Sequence, residues 1–166
     1  MQINNLTELF FDQFNKQIDK NKILLSTLGD KRENYSWQET YDFINLVSNE
    51  LRKVISKSDR CLLISENRPE WFIADLSIML SDGITVPAYT TYVENDYNYI
   101  INDCTPSIIF VSNIEQFNKL KNIIKDKKFI KKIFSFEKLP NVEIEYVNLK
   151  DLIQNNIKKN YHFINP

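Results

Sequence analysis

The stretch SENRPEWFIADLSIMLSDGITVPAYTTY, Ser65–Tyr92, decides the fold, because it sets a helix directly before a strand with almost no loop between them. Pro69 stands where a helix can begin, since the first turn does not use the N–H that proline lacks. Gly83 follows the apolar run and is predicted to be the left-handed residue that ends the helix. The strand ITVPAY comes next, and Pro87 fits its end better than its centre.

The same alternation continues on both sides of this stretch. Residues 61–65, CLLIS, form a continuous apolar run that is typical of a strand covered on both faces. Further strands are predicted at 107–112, 131–136 and 142–147, and further helices at 94–102, from 114 and from 149. Such alternation indicates an α/β fold, a mostly parallel sheet with helices on both faces. The predicted core comprises Leu62, Leu63, Ile64, Ile73, Leu76, Val86, Ile109 and Val111.

The region before this alternation has a different pattern. Residues 1–58 are predicted to contain an N-terminal helix, two short strands and a capped helix, and residues 59–166 the alternating strands and helices. Ser36 and Glu39 have the spacing of a capping box, in which each side chain binds the backbone of the other. The first helix is predicted from Leu6, Leu9, Phe10, Phe14 and Ile18, the first strand from 23–27 and a turn from Gly29–Asp30. The whole, 1–166, reads as one partial domain.

Composition excludes several classes of protein. The 166 residues carry a formal net charge of -1, which does not suggest a nucleic-acid partner. No apolar run approaches the roughly 20 residues of a membrane span, and the first ten residues do not resemble a signal peptide. We therefore expect a cytoplasmic protein without a transmembrane segment. Cys61 and Cys104 are predicted to be reduced, buried thiols.

Residues for catalysis or metal binding are scarce. The chain has two glycines, so neither a phosphate loop nor a dinucleotide fingerprint can be assembled. Its one histidine, His162, lies near the C-terminus and is predicted to be an exposed surface residue. Glu66, Glu70 and Asp75 are interpreted as carboxylates around a helix start. We predict no catalytic residue and no metal ligand.

Two patterns remain open. The basic run Lys119–Lys132 could meet anionic lipid or nucleic acid, although a solvated helix face and loop are favoured. The aromatic residues Tyr89, Tyr92, Tyr97 and Tyr99 could stack on a base, although packing in and around a core is the more usual role.

Specific segments point to a family. They are NRPEW at 67–71, ADL at 74–76, GITVP at 83–87, YIIND at 99–103 and IFVS at 109–112, together with YSWQE at 35–39. In order and spacing this region, from about Leu24 to Asn113, resembles the N-terminal region of long-chain fatty acid–CoA ligases. These enzymes belong to the adenylate-forming, AMP-binding superfamily. The resemblance implies that the chain is the first part of the large N-terminal domain of such an enzyme.

The resemblance also implies a chemistry. Family members form an acyl-adenylate from a fatty acid and ATP with Mg, and CoA then displaces AMP. The phosphate loop and the catalytic motifs of the family lie later in the chain and do not occur here, so the chain alone is expected to bind no cofactor and to be inactive. The loop Tyr89, Thr90 and Thr91 corresponds to positions near the CoA nucleotide. Some relatives have glycine there, and a Ser/Thr helix cap where this chain has Val93.

Three hypotheses follow. The chain is an N-terminal piece of a ligase; or it is a non-catalytic docking module that assembles with a separately made remainder; or it is an unrelated α/β domain with its own small ligand. The expected partner is the ligase remainder or a second copy of the chain, because an apolar surface and an open sheet edge would otherwise stay uncovered. Peripheral membrane contact stays open as well.

Overall fold

A computed structural model describes residues 3–28 and 32–157 of the chain. The elements in chain order are α1 (Leu6–Lys16), β1 (Ile23–Ser26), β2 (Asn34–Ser36), α2 (Trp37–Arg52), β3 (Arg60–Ile64), α3 (Pro69–Leu80), β4 (Ile84–Ala88), α4 (Glu94–Cys104), β5 (Ile108–Val111), α5 (Ile114–Ile124), β6 (Lys132–Ser135), β7 (Val147–Asn148) and α6 (Leu149–Ile157).

Five strands form one parallel sheet in the order β4-β3-β5-β6-β7. Strand β3 has a parallel neighbour on each side, so that Leu62 lies beside Val86 of β4 and Ile109 of β5. Strands β1 and β2 form a separate antiparallel pair. The predicted mostly parallel α/β fold is therefore confirmed.

Side chains of the central strands alternate between two cores, because successive residues of a strand point to opposite faces. Cys61 and Leu63 join a core that also contains residues of α1, α2, α3 and α6. Leu62 and Ile64 join a second core with residues of α4 and α5. Both faces of the sheet are thus covered by helices, which explains why these strands read as unbroken apolar runs.

The start of α2 has the predicted capping box. The Glu39 amide donates to Ser36 Oγ at 3.1 Å, and the Ser36 amide donates to Glu39 Oε2 at 2.8 Å. Helix α3 begins at Pro69, also as predicted. Both helix starts therefore follow from local sequence chemistry.

The buried face of α1 differs from the predicted one. Phe10 and Phe14 are buried as expected, and Phe11 is buried with them. Leu6 and Leu9 are exposed, and Ile18 lies beyond the helix end, fully exposed. The three phenylalanines make the contacts with α2 and α3 because aromatic rings bury more apolar area than leucine.

The end of α3 also differs from the prediction. Asp82 is the left-handed residue there, with φ of 60°. Gly83 is required for a different reason: a Cβ atom at this position would lie 3.0 Å from Ile78 Cγ2 and 3.2 Å from both the Ile78 carbonyl oxygen and Ile55 Cδ1. Close packing against Ile55 and Ile78, and not a positive φ, disfavours a side chain at residue 83.

Among the remaining predictions for the strands and the cysteines, one strand is shorter than predicted, and both thiols are as predicted. The segment 142–147 was predicted as a strand, but only Val147–Asn148 is paired, with β6. Of the predicted core residues, Val86 is only half-buried, because β4 is the outer strand of the sheet. Cys61 and Cys104 are buried and unbridged, as predicted. The predicted turn at Gly29–Asp30 and His162 lie outside the described residues.

Candidate functional site

The carboxyl edge of the parallel sheet is the candidate site. Ligands of open α/β sheets bind beyond the carboxyl ends of the strands, where the strand order reverses. The chain passes from β3 to β4 on one side and then to β5 on the other side of β3, so the order reverses between β3 and β5. The segments that follow these strands, around residues 65–68, 89–93 and 112–113, lie at this edge.

The loop after β4 is held by hydrogen bonds from two helices. Tyr97 Oη on α4 donates to the carbonyl oxygen of Tyr89 at 2.7 Å. Lys119 Nζ on α5 donates to the carbonyl oxygen of Thr90 at 2.6 Å. The amide of Tyr92 also donates to the Tyr89 carbonyl, at 3.2 Å. The main chain of the loop is therefore fixed before any ligand is present.

Several groups of this loop remain available to a ligand. The Tyr89 side chain is 72% exposed, Thr91 is exposed and Thr90 is half-buried. Neither threonine hydroxyl forms a hydrogen bond with any of the described residues, 3–28 and 32–157. An exposed ring suits stacking, hydroxyls suit hydrogen bonding, and the nearby Lys119 ammonium suits an anionic group.

Tyr97 is buried beneath this loop and remains a hydrogen-bond donor at neutral pH. Its side chain has no exposed area, and its ring lies 6.0 Å from that of Tyr92, which in turn contacts Tyr89 edge-on. Burial, with a further contribution from the charges of Glu66 and Asp96, raises the pKa of Tyr97 to about 12. The neutral phenol can therefore keep its bond to the Tyr89 carbonyl over the physiological range.

Acidic side chains lie at the N-terminus of α4, beside this loop, and one of them caps it. Val93 occupies the cap position and has no side-chain acceptor, and its backbone amide donates to Asp96 Oδ2 at 3.1 Å. Glu94 adds a second acidic side chain in the first turn. Because these groups already complement the positive end of the helix dipole, this terminus is not an anion site.

A partly buried ion-pair network joins the loops after β3 and β6. Arg68 Nε donates to Glu70 Oε2 at 2.9 Å, and its Nη1 donates to Glu137 Oε1 at 2.8 Å. Its guanidinium also lies 5.7 Å from the centre of the Phe136 ring. Burial acts to lower the pKa of Arg68, but the hydrogen bonds to the two carboxylates outweigh it and raise the pKa.

The ion pair with Arg68 gives Glu70 a structural role. Glu70 is 3% exposed and fully engaged by Arg68. Asp75 lies further along α3, where burial raises its pKa. Glu66 is exposed. Glu70 lies in the first turn of α3, as interpreted from the sequence. Asp75 is the seventh residue of α3 and lies past the first turn, so the helix-start interpretation is wrong for Asp75.

The residues at this edge do not fit the triphosphate of ATP. The whole chain has two glycines, so no glycine-rich loop exists to approach phosphate oxygens. In the part of the chain that the structure describes, no three His, Cys, Asp or Glu side chains are grouped as metal ligands.

Lys119 and Tyr97 are the site residues that sequence reasoning missed. Lys119 was placed in the basic run as part of a solvated face, and Tyr97 in a group of tyrosines without distinct roles. The i,i+4 spacing of Glu115 and Lys119, which lie 3.6 Å apart, could be read from the sequence. The bond to Thr90 could not, because it depends on how α5 packs beside the β4 loop.

Comparison with known proteins identifies the family. A family model described as "AMP-binding enzyme" matches residues 10–158. The chain belongs to the AMP-binding enzyme family. The predicted membership of the AMP-binding superfamily is thereby confirmed.

Curated relatives of this AMP-binding chain are fatty acid–CoA ligases. It is 27% identical over 136 residues to a long-chain-fatty-acid–CoA ligase of Rattus norvegicus, covering 78% of this chain and 19% of the relative. It is 28% identical over 141 residues to fatty acyl-CoA synthetase A of Dictyostelium discoideum, covering 80% of this chain and 20% of that protein. The chain thus spans about a fifth of the length of these relatives.

Solved structures agree on the fold. The anthranilate CoA ligase AuaEII, solved in complex with anthranoyl-AMP, superposes with a TM-score of 0.71 over 88% of this chain and 28% of that protein, at 20% identity. At this identity the likeness shows the fold alone. It agrees with the predicted α/β fold. None of the helices described here is long and apolar enough to cross a bilayer.

Proposed function

We propose that this chain supplies the opening part of a long-chain fatty acid–CoA ligase and is inactive by itself. The observation that carries the proposal is the coverage of the match: 78% of this chain corresponds to 19% of a long-chain-fatty-acid–CoA ligase. In an assembled enzyme the chain would contribute a rigid sheet and the loop after β4. Fatty acid, ATP with Mg, and CoA would be the substrates of that assembly, and its location would be cytoplasmic.

Inactivity of the lone chain follows from the charge that adenylation must stabilise. Attack of a carboxylate on the α-phosphate requires backbone amides and cations placed around the phosphate oxygens. With Gly83 used for close packing and Gly29 as the only other glycine, this chain has no loop that can supply those amides. The partner proposed here is therefore the remainder of the ligase.

The loop Tyr89, Thr90 and Thr91 is the proposed CoA-side contact. Support comes from its exposed ring, its free hydroxyls and the Lys119 ammonium that touches its backbone. The two threonines stand where some relatives have glycine, so contact through side chains replaces a close backbone approach. Lys119 would act as a point charge toward an anionic part of CoA while it holds the loop.

ATP–pyrophosphate exchange with palmitate tests the first proposal. The purified chain alone is expected to show no exchange above background. The same chain fused to the ligase segment that follows the match in a relative is expected to show exchange. Clear activity of the chain alone would overturn the proposal.

A third sample separates the two forms of the proposal. If mixing the chain with a separately made remainder restores exchange as well as the fusion does, the chain is a docking module that assembles in trans. If only the fusion is active, the chain acts as a covalent part of one enzyme.

Kinetics of the active assembly test the CoA contact. Lys119→Met is expected to raise the KM for CoA about tenfold, while the KM for ATP and the rate of pyrophosphate exchange stay unchanged, because exchange precedes CoA binding. Lys22→Met, on the exposed surface of the N-terminal region, is the control and should change neither constant. An unchanged KM for CoA in the Lys119 variant would remove the contact while leaving the ligase assignment in place.

A further inference from the structure

Four lysines surround a cavity at the amino edge of the sheet. The cavity has a volume of about 260 Å³ and lies where α5 ends and β6 begins. Its lining consists of Lys125, Lys127, Lys131, Lys132, Ile124, Ile130, Ile133, Ile144 and Glu145. It is remote from the candidate site, which occupies the carboxyl edge of the same sheet.

Positive charge is concentrated around this cavity. The run Lys119–Lys132 contains seven lysines and one aspartate, whereas the whole chain has a formal net charge of -1. Lys131 is paired with Asp59 at 2.9 Å. In the described part of the chain, Lys125, Lys128 and Lys132 form no ion pair. The surface therefore keeps at least three uncompensated ammonium groups.

The floor beneath these charges is aliphatic. Ile124 and Ile133 are buried members of the second core, and Ile130 and Ile144 are half-buried against it. Lysine stems can lie along such apolar surface while their ammonium groups remain in water. The result is an amphipathic surface, with separate cations above a shallow apolar recess.

We propose that this surface binds anionic lipid bilayers. We term it the lysine face; it comprises the cavity with its lining lysines Lys125, Lys127, Lys131 and Lys132, and the exposed Lys128, which is their neighbour in sequence. Clusters of four to eight basic residues on an amphipathic element attract acidic headgroups, with about 1 kcal/mol contributed by each lysine near the surface. The isoleucine recess can accept the apolar part of the interface. A strand of nucleic acid would instead call for exposed aromatic rings along the basic groove, and the face has only Phe129, which is half-buried.

Binding of a bilayer to the lysine face would leave the candidate site accessible to ligands. Since the lysine face lies at the amino ends of the strands, docking there leaves the Tyr89 loop at the opposite edge free. The inference does not depend on the proposed ligase function, because it concerns a different surface and a different ligand.

Vesicle co-sedimentation with the purified chain tests the inference. The chain is expected to sediment with phosphatidylcholine vesicles that contain phosphatidylserine, to remain in solution with phosphatidylcholine alone, and to be released by high salt. Lys125→Gln, Lys128→Gln and Lys132→Gln together should weaken binding about 100-fold, from the loss of three surface charges.

Two further variants make the result specific. Lys16→Gln, Lys22→Gln and Lys138→Gln together change net charge equally on other surfaces and should leave binding within about twofold. Lys125→Arg, Lys128→Arg and Lys132→Arg together should retain binding, because the positive charges are kept, and this variant separates loss of charge from loss of folding. The inference is overturned if pure phosphatidylcholine binds as well, if both glutamine variants lose binding equally, or if only nucleic acid is bound.

Discussion

The Lys119 ammonium donates a 2.6 Å hydrogen bond to the carbonyl of Thr90, which is 29 positions earlier in the chain. This bond ties the middle of α5 to the loop after β4. Together with the Tyr97 hydroxyl on α4, it gives the loop two anchors on separate helices. The loop is consequently part of the folded body of the protein and not an independent segment.

Loss of the first anchor should loosen the loop without unfolding the protein. A hydrogen bond to a charged group contributes about 1.5–3 kcal/mol, so Lys119→Met should speed amide exchange in residues 89–93 by about tenfold or more. Hydrogen–deuterium exchange with mass spectrometry measures this directly. Lys121→Met on the same helix is the control. Equal exchange in the two variants would show that Lys119 does not hold the loop.

The turn between α3 and β4 gives a paired prediction. Gly83→Ala should destabilise the protein by about 1–3 kcal/mol, because the added Cβ would lie 3.2 Å from the Ile78 backbone carbonyl oxygen and 3.0 Å from Ile78 Cγ2, so that both groups would have to shift. Asp82→Gly should instead stabilise it by roughly 0.5–1 kcal/mol, since Asp82 holds a positive φ that glycine adopts without strain. Urea unfolding of both variants decides the matter. Destabilisation by Asp82→Gly with no effect of Gly83→Ala would reverse these assignments.

The Arg68 network should contribute more to the free energy of unfolding than the exposed ion pairs do. Arg68→Gln leaves the Glu70 carboxylate, which is 3% exposed, without its cation and should cost about 2–4 kcal/mol. Lys138→Gln breaks an exposed pair with Asp151 and should cost less than about 0.5 kcal/mol. Thermal or urea unfolding compares the two. Similar costs would mean that burial of Glu70 adds nothing to this interaction.

Stability should fall as the pH rises above 9. Burial raises the pKa of the Cys61 thiol from 9.0 to about 12, and burial also raises that of Tyr97 from 10.0 to about 12. A raised folded-state pKa means that the unfolded chain loses its proton first, so the contribution is complete below the unfolded pKa and is lost between about pH 9 and 12.

Two variants and one reagent check this pH dependence. Tyr97→Phe should flatten the decline in the free energy of unfolding above pH 10, and Tyr99→Phe, an exposed ring on the same helix, should leave it unchanged. A thiol reagent at pH 8 should label neither cysteine in the native protein and both after unfolding. Rapid labelling of native Cys61 would contradict its burial.

The sequence allowed the framework to be predicted wherever a local rule decides the structure. The Ser36–Glu39 box, the Pro69 helix start and the continuous apolar strand at Cys61–Ile64 each depend on neighbours a few residues away. Asp82, and not Gly83, adopts the left-handed conformation, whereas Gly83 packs against Ile55 and Ile78. Sequence alone does not show that packing.

The candidate site was only partly predictable for the same reason. Tyr89, Thr90 and Thr91 could be selected through family resemblance, but their anchors could not. Lys119 meets the loop only after α5 has crossed back over the sheet, and Tyr97 only after α4 has packed. Contacts made across such distances are set by tertiary structure, and no periodicity or cap in the chain indicates them.

Pro87 determines what can be added to the outer side of β4. The amide of Ile84 donates inward to the Asp59 carbonyl, so by alternation residues 85 and 87 direct their backbone groups outward. Pro87 has no N–H, which leaves Thr85 as the single outward donor within the strand. Elongation of a fibril requires a template that repeats its donors along the edge, and this template is incomplete. A second copy or a ligase remainder that joins at β4 therefore receives one backbone N–H from within the strand, and its other contacts must come from carbonyl oxygens and side chains. This edge is a poor template for cross-β growth while the chain is being made.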